Sequence, residues 1–247
     1  MKEIDEFVEH LRFDLNFSEH TVSSYLNDIN DFYIYIASFG LDVVDINADT
    51  IRNYLSSLLE KGDSKVTCCR RLASLRHYFS FLVKKGIVAK NHFLFVESPK
   101  KEIRYPNALY LEQIENLFEK NKARTDTLKS RDQAILELLY ASGVRASELV
   151  AIKTQDIDLK NRTIRVLGKG RKERLAPFSK SCQETLEDYL LNSRKEILAK
   201  NKLEFNIDNL FLNSNGKPLT SRGLEYILKE IENKTGCAYG LHPHLLR

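Results

Sequence analysis

Apolar residues spaced three and four apart recur along most of this chain and give way to a two-residue alternation in one short stretch, a pattern that admits several helices and one hairpin. Ile4, Phe7, Val8 and Leu11 mark a first helix. Val22, Tyr25, Leu26, Ile29, Phe32, Tyr33 and Ile36 mark a second behind Ser18, an N-cap residue type. Ile51, Tyr54, Leu55, Leu58 and Leu59 follow Asp49 as a third. In the fourth, Val66, Cys69, Leu72, Leu75, Phe79 and Leu82 form the expected buried stripe. Further on, residues 109–118, 131–141, 181–200 and 220–234 read as helices. Thr163 to Leu167, the glycine-bearing turn GKGRK and the extended ERLAPF read as a hairpin. The expected class is therefore mainly α with a small β-sheet.

A chain of 247 residues buries well over half of its unfolded surface, and its 43% hydrophobic and 29% charged residues are those of a globular protein. No apolar run approaches the ~18 residues of a membrane span, and the acidic, amphipathic start MKEIDEFVEH is unlike a secretory signal, so a cytoplasmic location with no membrane partner is expected. Cys68 and Cys69 are adjacent, Cys182 and Cys237 stand alone, and no CxxC pair exists, which argues against a disulfide framework and a zinc site.

Charge is distributed unevenly. Residues 1–60 hold three basic and twelve acidic side chains, whereas residues 61–104 hold eleven basic and three acidic ones. Such a reversal suits a module with one surface turned to a polyanion. Lys65, Arg70, Arg71, Arg76 and His77 lie off the apolar stripe of the fourth helix, making it the candidate for insertion into a DNA groove. The periodicity lapses after Gly86, and SPKKEIRYP has the composition of an exposed linker. The expected division is a helical DNA-binding domain over 1–97, a linker over 98–105 and a second domain over 106–247.

Three separated segments carry candidate chemistry: LYASGVRASELVAIKTQDID around Arg145, IRVLGKGRKERLAPF around Lys169, and LHPHLLR with His244 and Arg247. GKGRK lacks the spacing of an ATP-binding P-loop. In order, spacing and flanking residues the three segments resemble the first arginine, the hairpin lysine and the His-x-x-Arg motif of tyrosine recombinases, closest to the bacterial Xer branch. The likeness extends through the N-terminal helices and covers essentially the whole chain.

The resemblance implies a four-helix SAM-like core-binding domain followed by a mixed α+β catalytic domain that is incomplete at its C-terminal end. It implies site-specific DNA recombination: a tyrosine oxygen attacks a phosphodiester, leaving a 3′-phosphotyrosyl link and a free 5′-hydroxyl, with no metal or other cofactor. Arg145 and Arg247 carry over as the clamp on the non-bridging oxygens, a task suited to planar guanidinium forks. Lys169 carries over as general acid for the departing 5′-oxygen. Its rival is Lys172 in the same loop; otherwise Lys172 and Arg171 are DNA-backbone contacts. His244 carries over as a partner of the phosphate, His242 reads as structural, Glu148 is either a support of the arginine or a helix-face charge, and Asp156 reads as a turn residue. The family's nucleophile lies beyond the His-x-x-Arg arginine, and all eleven tyrosines precede Arg247. This chain is therefore expected to bind DNA without cutting it. The expected partners are a double-stranded recombination site and, for the complete protein, a homo- or hetero-tetramer of recombinases. Chromosome-dimer resolution is the leading role, with a mobile-element integrase or a non-catalytic modulator as alternatives.

Overall fold

Side-chain caps set where the N-terminal helices begin. In the computed structural model, which describes residues 2–100, 108–168, 172–201 and 207–247, Ser18 accepts from the Thr21 amide and starts α2 (Glu19–Ala37), as expected. Asn47, rather than Asp49, starts α3 (Ala48–Glu60) by accepting from the amides of Asp49 and Thr50. Ser64 starts α4 (Lys65–Lys84) by accepting from Thr67. Each such cap satisfies amides that a helix start leaves without an intrahelical partner. Ahead of them, α1 (Lys2–Glu9) runs into a π-helical turn over His10–Asp14.

These elements close around Phe7, Phe32, Tyr54, Tyr78, Phe79 and Phe93, all essentially without solvent contact. Their rings meet at oblique or edge-on angles, with centroids 4.6 Å apart for Phe79 and Phe93 and 5.0 Å for Phe32 and Tyr54. The α4 stripe differs from expectation at its first turn. Cys68, Leu72, Leu75, Phe79 and Leu82 are buried together with Tyr78 and Phe81, while Val66 is 60% exposed and Cys69 lies at the edge, its thiol donating to the Pro99 carbonyl. At about 100° per residue, Val66 lies on the opposite side of the helix from the buried Cys68 and so faces solvent.

The chain divides into two compact units, Met1–Arg104 and Tyr105–Arg247. The second unit is built on α6 (Lys129–Ser142), in which every residue from Arg131 to Leu139 is buried. Against it lie α5 (Leu111–Lys122), α8 (Lys180–Asp188) and the π turn Tyr189–Ser193, which leads from α8 into α9 (Arg194–Ala199). A short α7 (Ala146–Ala151) and the long α10 (Ser221–Thr235) complete the α-helices of this unit among the described residues. The expected hairpin is present as β2 (Thr163–Leu167) and β3 (Glu173–Pro177), antiparallel, with Ile164 opposite Ala176 and Val166 opposite Arg174. A two-residue strand β1 (Ile157–Asp158) adds to β2 and makes a three-stranded sheet; two residues are too few to register as an alternation in sequence.

Because α6 is buried on all sides, its polar residues require internal partners. Glu137 accepts from Gln133, Ser181 and Thr185 and pairs with Lys122 at 3.1 Å. Burial pushes the Glu137 carboxyl up, but the bonds from Gln133, Ser181 and Lys122 outweigh it and hold the group below the ordinary glutamate range. The folded carboxylate thus binds its proton less tightly than the unfolded one. Its contribution to stability is complete above the unfolded glutamate pKa and is withdrawn as pH falls through the lower folded value. Glu137→Gln is accordingly expected to flatten the acid limb of a urea-midpoint-against-pH curve between those two values; an unchanged limb would exclude this group as a source of the acid sensitivity.

Candidate functional site

One buried carboxylate organises the residues that the sequence motifs single out. Gly143 ends α6 in the left-handed region (φ 57°), a conformation that a side chain disfavours, and turns the chain so that Val144 is buried and Arg145 caps α7. Three residues on, Glu148 is buried, and its Oε2 accepts from the Arg145 amide at 2.9 Å while its Oε1 accepts from the Arg145 guanidinium at 2.7 Å. A second guanidinium, that of Arg174 on β3, donates to Oε2 at 2.8 Å. The Glu148 side chain is 3% exposed, and those of Arg145 and Arg174 are 45% and 39% exposed. Burial raises the Glu148 carboxyl, yet the bonds from Arg145 and Arg174 outweigh it and keep the group below the usual glutamate range. Two guanidiniums are thus fixed by an anion beneath them with faces open to solvent.

The hairpin reaches the same place. Its base is closed by the Gly168 amide donating to the Lys172 carbonyl at 2.8 Å, and a Cβ built on Gly168 would stand 3.8 Å from Glu148 Oε1. Lys169 and Arg171 lie outside the described residues; Lys172 is described and exposed.

The third motif is seated by its apolar residues. Leu241, Pro243, Leu245 and Leu246 are buried, whereas His242, His244 and Arg247 between and after them are exposed. His242 engages its own segment through the Gly240 carbonyl at 2.8 Å. Arg247 arrives beside Gly143, where its Cγ would be 3.7 Å from a Cβ on that glycine, two residues ahead of Arg145. Arg145, Glu148, the hairpin base and Arg247 therefore converge, with His244 exposed three residues before Arg247. Asp156 accepts from the Lys153 amide and from Arg165, serving the local turn.

Arg174 was not among the residues singled out from sequence. A signal for it existed: in the alternation of β3 it occupies a position facing inward with Ala176, where an apolar residue is the norm.

In the N-terminal unit the α4 cations have internal partners. Arg70 donates through both terminal nitrogens to Asp28, which also accepts from Ser74. Arg71 pairs with Asp31 at 2.5 Å and Asp63 at 3.3 Å. Arg76 donates to the carbonyls of Phe93 at 3.0 Å and Val96 at 2.6 Å, fastening the segment after α4 to the helix. Lys65 and His77 are exposed, the latter beside Tyr25 with ring centroids 5.8 Å apart. Among the described residues there is no cluster of three or more His, Cys, Asp or Glu placed to hold a metal ion, and no helix is long and apolar enough to cross a membrane.

Comparison with known proteins matches residues 4–86 to the phage integrase N-terminal SAM-like domain and residues 107–247 to the phage integrase family. The tyrosine recombinase XerC of Bacillus licheniformis is 39% identical over 242 residues, which cover 98% of this chain and 79% of the relative. Among solved structures, the XerH site-specific recombinase bound to its difH substrate before cleavage superposes with a TM-score of 0.69 at 21% identity, over 99% of this chain and 71% of XerH. A lambda integrase tetramer bound to a Holliday junction gives 0.71 at 18% identity, over 99% of this chain and 69% of the integrase chain; at such identities both show a shared fold. With both domain profiles matched in order and a relative of this identity across nearly its whole length, the chain belongs to the phage integrase family, among the tyrosine recombinases.

Proposed function

We propose that this chain binds duplex DNA at a recombination site and holds one phosphodiester for transesterification, as part of a Xer-type site-specific recombinase acting in the cytoplasm. The observation that carries the reading is the convergence of Arg145 and Arg247 at the Gly143 corner, with Arg145 fixed by the buried Glu148. Charge develops on the non-bridging oxygens as a phosphoryl group transfers, and donors already oriented toward them stabilise that state without reorganising. Glu148 performs the orientation in advance by holding the arginine through both its amide and its side chain. In this reading Lys169 protonates the departing 5′-oxygen, His244 assists at the phosphate, and Lys172 and Arg171 hold the DNA backbone.

The N-terminal unit supplies further contacts from α4. Lys65 and the half-exposed Arg70 are the cations proposed to meet phosphates there, Arg71 and Arg76 acting chiefly through the intramolecular bonds that shape the surface. The XerC relatives favour chromosome-dimer resolution over mobile-element integration, and the tetrameric lambda integrase complex supports a recombinase tetramer as the working assembly.

Attack on the phosphate is assigned to none of the eleven tyrosines. Tyr54, Tyr78 and Tyr189 are buried, and no described hydrogen bond links any tyrosine to the clamp. A polypeptide of residues 1–247 incubated with a nicked suicide substrate is thus expected to yield no denaturant-resistant adduct; recovery of one would overturn that part of the proposal. The same polypeptide should bind duplex DNA with log affinity falling steeply against log salt, at a slope of about −0.9 per phosphate neutralised. A flat response would remove the DNA-binding reading itself.

A further inference from the structure

We propose that Arg174 is a positioning residue: through the Glu148 carboxylate it ties the hairpin to the N-terminus of α7, so that the hairpin base at Gly168 and Arg145 are held as one unit. This inference rests on the phosphate-binding reading above.

The register of the sheet carries the argument. In an antiparallel ladder, residues directly opposite one another project from the same face. Arg174 is opposite Val166, and the neighbouring pair Ile164 and Ala176 is fully buried, so Arg174 stands on the core-facing side. The outward side of the hairpin carries Arg165, Leu167, Glu173 and Leu175, where a cation needs no partner. A carboxylate as buried as Glu148 requires donors, and Arg174, whose side chain is 39% exposed, supplies one at 2.8 Å from an element distant in sequence.

The two oxygens of Glu148 divide the work. Oε1 receives the Arg145 side chain, while Oε2 receives both the Arg145 amide and Arg174. Removing Arg174 leaves the α7 side of this junction intact and releases the hairpin side. The hairpin base sits directly over the carboxylate, since a Cβ on Gly168 would come within 3.8 Å of Oε1, and Lys169 is the next residue in the chain. Arg174 therefore acts on the clamp through Glu148 and contacts no phosphate.

The test is a double-substitution cycle read as affinity for a core-site duplex at several salt concentrations, with Arg174→Ala, Glu148→Gln, both together, and Arg174→Lys. Arg174→Ala is expected to weaken binding about 5- to 30-fold, the range for residues coupled in one network. The double variant should lose no more than the weaker of the two single variants. Arg174→Lys should recover most of the affinity, and the salt slope of Arg174→Ala should equal that of the parent chain. Additive losses, or a slope reduced by about one phosphate contact, would overturn the proposal, the latter making Arg174 a direct DNA ligand. If alanine at 174 prevents folding, Arg174→Gln takes its place in the same cycle. Absence of salt-dependent binding by the parent chain would sink the functional reading together with this one, whereas additive losses in a chain that binds DNA would sink this one alone.

Discussion

Asp132→Ala is expected to destabilise the C-terminal unit by about 3–5 kcal/mol, the cost of removing one partner from a buried ion pair. Asp132 lies in the buried stretch Arg131–Leu139 of α6, between two guanidiniums that have almost no access to water. Its Oδ2 accepts from Arg124 at 2.9 Å, and its Oδ1 accepts from Arg131 at 2.9 and 2.7 Å. The side chains of Arg124, Arg131 and Asp132 are 6%, 4% and 4% exposed. Alanine would leave two cations facing each other where solvent cannot screen them. Arg124 retains its bonds to Asp126 and Asn121, and Arg131 retains a longer one to the Leu212 carbonyl, so the unit is weakened rather than reduced to chaos around an unpaired charge. Urea unfolding followed by amide exchange within α6 separates this unit from the N-terminal one. A loss under about 1 kcal/mol, the scale of exposed pairs, would show that the cluster contributes little to stability. Asp132→Asn keeps acceptor oxygen and shape and should fall between the two.

Arg145→Ala and Arg247→Ala are each expected to weaken binding of recombination-site duplex about 10- to 100-fold, as hydrogen bonds to a charged group contribute about 1.5–3 kcal/mol apiece. The two effects should exceed that of Lys65→Ala, because a cation at the open first turn of α4 acts through a screened, solvent-exposed contact. Arg145→Lys is a stringent companion. Lysine retains the charge but cannot both satisfy Glu148 Oε1 and present a second planar donor to a phosphate, so most of the loss should persist. Equilibrium titration at fixed salt reads all of these. Equal, small losses at positions 65, 145 and 247 would describe a diffuse electrostatic surface and would contradict a focused clamp.

Much of this architecture was legible in the chain itself. The cap at Ser18, most of the helical stripes and the hairpin around GKGRK depend on residues close in sequence, and local chemistry is sufficient to specify them. Asn47 rather than Asp49 starts α3, its side chain accepting from the Asp49 and Thr50 amides, so that Asp49 itself falls inside the first turn. Arg145, His244 and Arg247 are singled out by the order and flanks of their motifs, and their roles stand as proposals.

What charged residues do once folded was not legible. An arginine reads the same in sequence whether it faces solvent, a phosphate or a carboxylate forty residues away. Arg70 and Arg71 look alike beside Arg76 in α4, yet two pair with acids of α2 and one fastens backbone carbonyls after the helix. Glu148 was open between a support and a surface charge, and burial beneath two guanidiniums is what distinguishes them. Arg174 lay within the hairpin segment IRVLGKGRKERLAPF without being singled out there. Periodicity determined which segments form helix or strand; beyond local pairs such as Arg145–Glu148 and Arg131–Asp132, tertiary structure decided which charges meet, because partners such as Arg174 for Glu148 and Asp28 for Arg70 come within about 3 Å only when elements distant in sequence pack together.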